Sequence, residues 1–430
     1  MDGTLLDAAD DALSRPDRGL YTGGMTPAAR VQAAIDILSG LETSALPADR
    51  FIREFFRARR YAGSKDRAAV SEAVYGILRG RGVLAWQMGD DSPRALALAW
   101  VAREGSDVDL IFTSEKYAPA AITEEERRAL KATRGEPPLW TVGAFPAFLE
   151  GELTRAFGDP VLREMTAMLA RAPVDLRVNT LKETRDDVLD ALRADGFEAD
   201  ATPWSPMGIR LGTANGLEKT PLFARGAFEF QDEAAQIAAM LVAPRAGERI
   251  LDLTAGAGGK SLALAALAHN EAEIVASDIR PQALQQLQTR AERAGAMIAI
   301  DPAPRRQFDA VLLDAPCSGT GTWRRQPELR WRLTASRLDQ LNATQDELLA
   351  RAAAHVRPNG RLIYATCSIL PRENEDRIAA FLRSHPAFHI TRADSVWRES
   401  ATPPGLAEFF RASPLTTGTD GFFAAILTRE

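Results

Sequence analysis

The sequence predicts a parallel, doubly wound α/β sheet in the C-terminal part of the chain, preceded by an all-helical region and a small α+β module. Three observations lead there. Apolar residues recur at three and four positions from Met25 onward, short apolar strands alternate with helices from Arg249 onward, and a glycine-rich turn succeeds the first of those strands.

At 430 residues the chain is long enough for two or three domains. Its 46% hydrophobic and 26% charged residues are those of a folded globular protein. No apolar run of about 18 residues is present to span a bilayer, and Met1 to Gly24 is an acidic leader without a hydrophobic signal core. These features predict a disordered leader over 1–24 and a monomer in the cytoplasm that does not engage membranes. Two cysteines and four histidines give neither a disulfide framework nor metal-ligand spacing, so free thiols and no metal are expected. A net charge of −6 excludes coating of nucleic acid by bulk electrostatics, but leaves room for local basic faces.

Taken in order, residues 25–160 read as a helical domain. Val31, Ile35 and Leu38, then Ile52, Phe55 and Phe56, then Val70, Val74 and Ile77 keep the helical period. Between Arg50 and Arg81 nine Lys or Arg face three acids, with Phe51, Phe55, Phe56, Tyr61 and Tyr75 interleaved. That stretch is a candidate RNA-contacting face, with a solvated face over a helical core as the plainer alternative. The helical pattern continues from Ala95 to Phe157, broken at Pro137-Pro138 and Pro146. A small α+β module is expected over 171–225, with a strand at Val174 to Asn179 and a helix from Thr184 to Asp195. The sheet domain takes 226–430, with strands at Ile250 to Leu253, Ile274 to Ala276, Ala310 to Leu313 and Leu362 to Ala365.

The first strand of the sheet runs into Thr254-Ala255-Gly256-Ala257-Gly258-Gly259-Lys260-Ser261. Glycines at the carboxyl end of a strand let backbone approach a ligand closely. The spacing matches neither a P-loop, which needs glycine at Thr254, nor a dinucleotide fingerprint, which needs glycine or alanine at Ser261. About twenty residues on, the next strand ends at Asp278, where a carboxylate can accept from both hydroxyls of a ribose. Loop and acid together favour a ribose-bearing cofactor.

Both cysteines leave the sheet at strand ends. Phe308 to Leu313 leads into Asp314-Ala315-Pro316-Cys317-Ser318-Gly319-Thr320-Gly321, and Gly360 to Ala365 into Thr366-Cys367-Ser368. A lone cysteine is usually a small buried hydrophobe. A chain that spends its only two in equivalent places, each trailed by polar residues, points instead to one site with two thiols.

Asp314 to Gly321, Thr366-Cys367-Ser368 with Asn374-Glu375, Phe230-Gln231-Asp232-Glu233, Arg177-Val178-Asn179-Thr180 and Asp420-Gly421-Phe422-Phe423 together resemble the NOL1/NOP2/Sun family of RNA (cytosine-5)-methyltransferases. The resemblance runs from about Arg171 to the C-terminus. Tyr61 to Arg67 and Val74 to Arg79 are similar to the NusB-type helical RNA-binding domain, a pairing like the bacterial RsmB branch, which modifies small-subunit ribosomal RNA. The resemblance implies a Rossmann-type class I methyltransferase domain whose last strand, near Phe422 to Leu427, inserts antiparallel. It also implies S-adenosyl-L-methionine as cofactor and ribosomal RNA as partner.

The chemistry suits two thiols. Carbon 5 of cytosine is a poor nucleophile until a thiolate adds to carbon 6, and the adduct afterwards needs a base to take the carbon 5 proton. By resemblance Cys367 attacks and Cys317 aids release. DNA cytosine methyltransferases place their nucleophile in a Pro-Cys pair like Pro316-Cys317, so the residues alone leave the two roles open. Asp314 is expected at the cytosine edge or at the methionine end of the cofactor. Thr254, Ala255, Gly256, Ala257, Gly258, Gly259 and Lys260 are implied to line the methionine part, Asp278 the ribose and Asp301 the adenine.

The loop departs from the family's usual Ala-Ala-Pro in Ala255-Gly256-Ala257, a more flexible run. Ser261 replaces the common threonine and keeps the hydroxyl. Trp323 to Arg337, with five arginines against Glu328, is expected to hold phosphates beside a base drawn from its helix. The alternative reading is a catalytically inactive RNA-binding ribosome-assembly factor that keeps the fold. A third motif, Met1-Asp2-Gly3-Thr4-Leu5-Leu6-Asp7, echoes haloacid-dehalogenase-type phosphatases, but the place of their attacking aspartate, two residues before Asp2, precedes Met1, and the match is read as chance similarity in the leader.

Overall fold

The computed structural model describes residues 24–430, so the phosphatase-like motif and all but the last residue of the expected leader lie outside the described residues. Two compact units are present. One comprises the chain up to Arg171 together with Trp323–Leu333, and the other Ala172–Thr322 with Thr334–Glu430.

Among the described residues the first unit has helices and no strand. Its long helices are Pro27–Thr43, Ala48–Arg57, Ser64–Met88 and Pro93–Arg103, and Thr26 and Ser92 cap two of them by accepting from Ala29 N and Ala95 N. Val31, Ile37, Ile52, Val70, Val74, Ile77 and Leu98 close the core, the expected helical period turned inward. A buried ion pair of 2.6 Å between Arg30 and Asp66 crosses it. Of the basic stretch between Arg50 and Arg81, Arg53, Arg57, Arg60, Lys65 and Arg67 are exposed. Tyr61 stands among them 71% exposed, whereas Phe56 is buried and Arg59 lies 3.6 Å over the Phe55 ring.

Residues 323–333 correct an expectation. Instead of offering arginines and tryptophans to RNA, this strap is embedded in the helical unit: Trp323 and Arg330 are fully buried and Arg324 nearly so. Arg330 donates to the carbonyls of Ala144 and Met168 at 3.1 and 2.7 Å and lies 5.0 Å from the Trp323 ring. Trp331 donates to Leu78 O, and Arg332 to Leu46 O and Leu41 O. Only Arg337, outside the strap, is exposed among the five arginines. Carbonyls at helix ends are left without partners inside the helix, and here guanidinium groups supply them. Burial pushes the Arg330 guanidinium down to about 9. Arg330→Ala removes both donors and strands two buried carbonyls, at a cost of about 3 kcal/mol. Urea unfolding monitored by tryptophan fluorescence checks this.

The second unit holds two sheets. The smaller is antiparallel, in the order β2-β3-β1-β4, formed by β1 (Val174–Val178), β2 (Ala199–Ala201), β3 (Gly208–Leu211) and β4 (Phe228–Phe230), with helix Arg185–Ala194 packed on it. Thr184 caps that helix through Asp187 N, and Val188, Leu189 and Leu192 face the sheet. Asp175 and Arg210 bind each other bidentately at 2.7 and 2.8 Å across β1 and β3.

The larger sheet has eight strands: β5 (Arg249–Asp252), β6 (Glu273–Ala276), β7 (Ile298–Ile300), β8 (Phe308–Asp314), β9 (Val356–Thr366), β10 (Phe388–Thr391), β11 (Phe410–Ala412) and β12 (Phe422–Arg429). Its order is β10-β12-β9-β8-β5-β6-β7, with β11 paired to β12. β5 through β9 pair parallel, and β12 inserts antiparallel between β9 and β10, which is the Rossmann-type arrangement expected. The strand order reverses between β5 and β8, and in such sheets ligands bind at the carboxyl edge beside that reversal. Among the described residues no helix is long and apolar enough to cross a membrane.

Candidate active site

The site is built from the residues just beyond the carboxyl ends of β5, β6, β7, β8 and β9. β8 and β9 run parallel with Asp314 opposite Ala365, so the segments leaving them emerge side by side. Ala315 N donates to Ala365 O at 2.8 Å, and Gly321 N to Cys367 O at 2.9 Å. This backbone lacing brings Cys317 Sγ and Cys367 Sγ to 3.4 Å, with both thiols free and partly exposed. The Cys317 thiol is pushed well above its ordinary value, first by its hydrogen bond to Cys367, then by burial and by the negative charges of Cys367 and Glu373.

Asp314 lies beside the cofactor loop. Its carboxylate pairs with Lys260 Nζ at 2.6 Å, and its carbonyl accepts from Thr254 Oγ1 at 2.9 Å. Lys260 also stands 5.1 Å over the Phe422 ring. Burial would lower the Lys260 ammonium, but Asp314, Asp252 and Cys367 together hold it above its ordinary range. It therefore remains a cation between the loop and the thiols.

The loop itself turns on Gly256 and Gly258, both left-handed at φ of 55° and 85°. A side chain on Gly258 would strike Leu287 at 2.6 Å. Ala255 N donates to Ser277 O and Ala257 O accepts from Arg290, which fastens the turn from both sides. Gly259 opens the helix Gly259–Leu267, whose first amides point toward the carboxyl edge. Ser261 keeps its hydroxyl for an inward purpose, donating to buried Asp252 at 2.6 Å.

Burial drives Asp252 up to about 6, with Ser261 opposing and Asp314 adding to the rise. A carboxyl raised in the folded state binds its proton more tightly there than in the unfolded chain. Its contribution to stability is therefore lost as pH climbs from about 4 through about 6. Asp252→Asn removes that loss and still accepts from Ser261. The melting temperature of the variant relative to the parent should rise between pH 4.5 and pH 7, as calorimetry at both values would read.

Asp278 stands just past β6. Its carboxylate accepts from Gly256 N at 2.8 Å and from Arg280 through N, Nε and Nη2. Burial pulls its carboxyl up, but the Arg280 side chain and these backbone donors hold it below its usual value. Asp301 stands just past β7 and accepts from Ala303 N at 3.0 Å, closing its own turn. All the candidate residues thus stand at one edge of the sheet.

Sequence reasoning passed over four features. Glu373 is fully buried behind the two cysteine loops, and Ser318, Ser368 and Gln345 converge on it. Ile279 is 86% exposed beside Asp278, an apolar residue left outside the core. Phe422 and Asp252 flank Lys260. The only sequence signal for Glu373 was an acid in a proline-led turn two residues before Glu375, which is common.

The model described as 16S rRNA methyltransferase RsmB/F matches residues 239–428, and that for the RsmF/B-like ferredoxin-like domain matches residues 145–218. Ribosomal RNA small subunit methyltransferase B of Erwinia tasmaniensis is 31% identical over 412 residues, which are 87% of this chain and 93% of that protein. The protein of the same name from Salmonella typhi is 36% identical over 296 residues, 66% of each chain. Among solved structures, a methyltransferase homolog protein from Pyrococcus horikoshii superposes with a TM-score of 0.58 at 26% identity, covering 68% of this chain and 98% of its own. NSun6 from the same organism, solved with SFG, gives 0.59 at 20% identity over 67% of this chain and 99% of its own, a likeness of fold.

Proposed function

The chain belongs to the 16S rRNA methyltransferase RsmB/F family, and we propose that it transfers a methyl group from S-adenosyl-L-methionine to carbon 5 of a cytosine in small-subunit ribosomal RNA. The observation that carries this reading is the pair of thiols 3.4 Å apart, beside a cationic lysine, at the edge where the glycine loop lies.

The residues of the loop fit the cofactor. Left-handed Gly256 and Gly258 leave backbone open toward the edge, and Asp278 offers a carboxylate one strand over, as a ribose requires. In this reading Thr254 to Lys260 hold the methionine part, Asp278 the ribose, and Asp301 with exposed Ile279 the adenine. The bound cofactor supplies an electrophilic methyl group.

Cys367 is the attacking thiol. Its sulfur adds to carbon 6 as nitrogen 3 takes up a proton from solvent, and the Asp314 carboxylate accepts a hydrogen bond from that N3–H, steadying the protonated adduct. Lys260, protonated and close enough to feel the charge of Cys367, keeps a cation near the attacking sulfur. The adduct makes carbon 5 nucleophilic. Cys317 begins as a thiol because the hydrogen bond and the charge of Cys367 keep its proton on. Once the Cys367 sulfur is bonded to carbon, both influences lapse and the Cys317 proton becomes easier to lose. Cys317 gives that proton to solvent, and its thiolate then takes the carbon 5 proton as the carbon 6–sulfur bond breaks and Cys367 leaves as a thiolate.

Exposed Arg57, Arg60, Lys65 and Arg67, with exposed Tyr61 in the same stretch of chain, support a role for the helical unit, read as NusB-type, in binding RNA phosphates and stacking a base. Work on ribosomal RNA would place the protein in the cytoplasm.

The test supplies methyl-tritiated S-adenosyl-L-methionine with unmodified small-subunit rRNA, naked and assembled, then resolves the nucleosides. Label in 5-methylcytidine is expected. Label in another nucleoside would move the target atom, and absence of both transfer and cofactor binding would favour the inactive assembly factor.

A further inference from the structure

Glu373 is fully buried, yet its carboxylate meets four donors and no lysine or arginine bridges to it among the described residues. Ser318 N and Gln345 Nε2 donate to Oε1 at 2.8 and 3.0 Å, while Ser318 Oγ and Ser368 Oγ each donate to Oε2 at 2.5 Å. Ser318 is the next residue after Cys317, and Ser368 the next after Cys367. One carboxylate therefore holds the neighbour of each thiol. Its own backbone is fixed from β9, where Tyr364 OH donates to Glu373 O at 2.6 Å, and Gln345 also holds Pro316 O at 3.0 Å.

Burying a carboxylate without a countercharge costs several kcal/mol, and a well-packed neutral group usually serves a merely structural junction as well or better. The charge has a use here: it lies behind Cys317 and adds to the causes that keep the Cys317 proton in place. The groups that face the two thiols are Glu373 and Tyr364 on one side and Lys260, paired with Asp314, on the other.

We propose that Glu373 is the positioning residue of the two-thiol site, locking the Cys317 and Cys367 loops at a fixed separation. This rests on the cytosine-5 reading for its catalytic consequence, but the effect on the thiols exists without any substrate.

The experiment compares the full-length parent with Glu373→Gln and Glu373→Asp by two measurements. The first is the rate of iodoacetamide alkylation at each cysteine between pH 6 and pH 10, read by peptide mass spectrometry. The second is single-turnover methylation with S-adenosyl-L-methionine binding measured alongside. In the parent, Cys317 should alkylate only at high pH. In Glu373→Gln the Cys317 profile should move to lower pH, because one of the charges that hold its proton is gone. Methyl transfer should fall about a hundredfold through misplacement, while the cofactor Kd stays constant. Glu373→Asp should recover part of both.

Unchanged alkylation profiles and turnover in a folded Glu373→Gln protein would overturn the proposal. If that variant fails to fold, Ser318→Ala and Ser368→Ala each remove one arm. Each is expected to slow turnover about tenfold at constant cofactor Kd, and parental rates in both would equally reject the assignment. A parent that methylates no cytosine would refute the function while leaving the alkylation result to judge Glu373.

Discussion

Cys317→Ala should accumulate a protein–RNA adduct that survives denaturation, whereas Cys367→Ala should form none and should lose methyl transfer altogether. The asymmetry has its origin in the site's electrostatics. The two sulfurs are 3.4 Å apart, so either could reach the same pyrimidine, and position alone does not rank them. Charge does. The Cys317 proton is retained by its hydrogen bond to Cys367, by burial and by the neighbouring charges of Cys367 and Glu373, and Lys260 stands within reach of the Cys367 charge. Cys317 is thus the sulfur held as a thiol, which leaves Cys367 to attack. Removing it removes the only route to a nucleophilic carbon 5, and a loss of at least about four orders of magnitude is expected, as for other covalent nucleophiles. Removing Cys317 leaves attack intact but takes away the base, so the carbon 6–sulfur bond cannot be expelled. Gel mobility and mass spectrometry of denatured protein–RNA mixtures read both outcomes. An adduct in Cys367→Ala and none in Cys317→Ala would exchange the roles, as the Pro316-Cys317 pair would have it.

Much of the C-terminal unit was legible because a parallel sheet announces itself. Runs such as Ile250-Leu251 and Ala310 to Leu313 are buried on both faces and must be apolar throughout, and their carboxyl ends are then known. Cys317 and Cys367 were found because two strand ends of one sheet bring the residues beyond them to a common edge. The strap at 323–333 was misread for a physical reason. Arginines and tryptophans in sequence look like a nucleic-acid surface, since charge normally seeks water. Here the water is replaced by carbonyls at or beyond helix ends, those of Ala144, Met168, Leu41 and the loop residue Leu46, and by the Trp323 face, partners mostly far away in sequence. Glu373 was hidden likewise. Its meaning lies in four donors from three separate segments, and no local pattern records that convergence. β7 escaped notice because it is three residues long and half exposed.

Gly321→Ala should nearly abolish turnover while leaving cofactor binding untouched. Gly321 sits where the Cys317 loop crosses the backbone beyond β9 and the approach to β12: its N donates to Cys367 O at 2.9 Å, and its carbonyl accepts from Gly421 N at 2.8 Å. A methyl group there would stand 2.0 Å from Gly421 O and 2.8 Å from Cys367 O. Both obstacles are backbone atoms, so no rotamer change relieves them, and the loops must separate by about 1 Å. Displacement on that scale is worth about a hundredfold in rate when two groups must act on one substrate in turn. Gly256→Ala makes the contrast. Its nearest neighbour is the flexible tip of Arg280 at 3.5 Å, so the penalty there is only the left-handed backbone, about 1 kcal/mol. That cost should appear as several-fold weaker S-adenosyl-L-methionine binding with the adduct step preserved. Single-turnover rates and equilibrium binding measured on both variants separate a glycine that spaces the thiols from one that shapes the cofactor loop. Parental turnover in a folded Gly321→Ala protein would mean that the thiols do not need the fixed separation on which their division of labour depends.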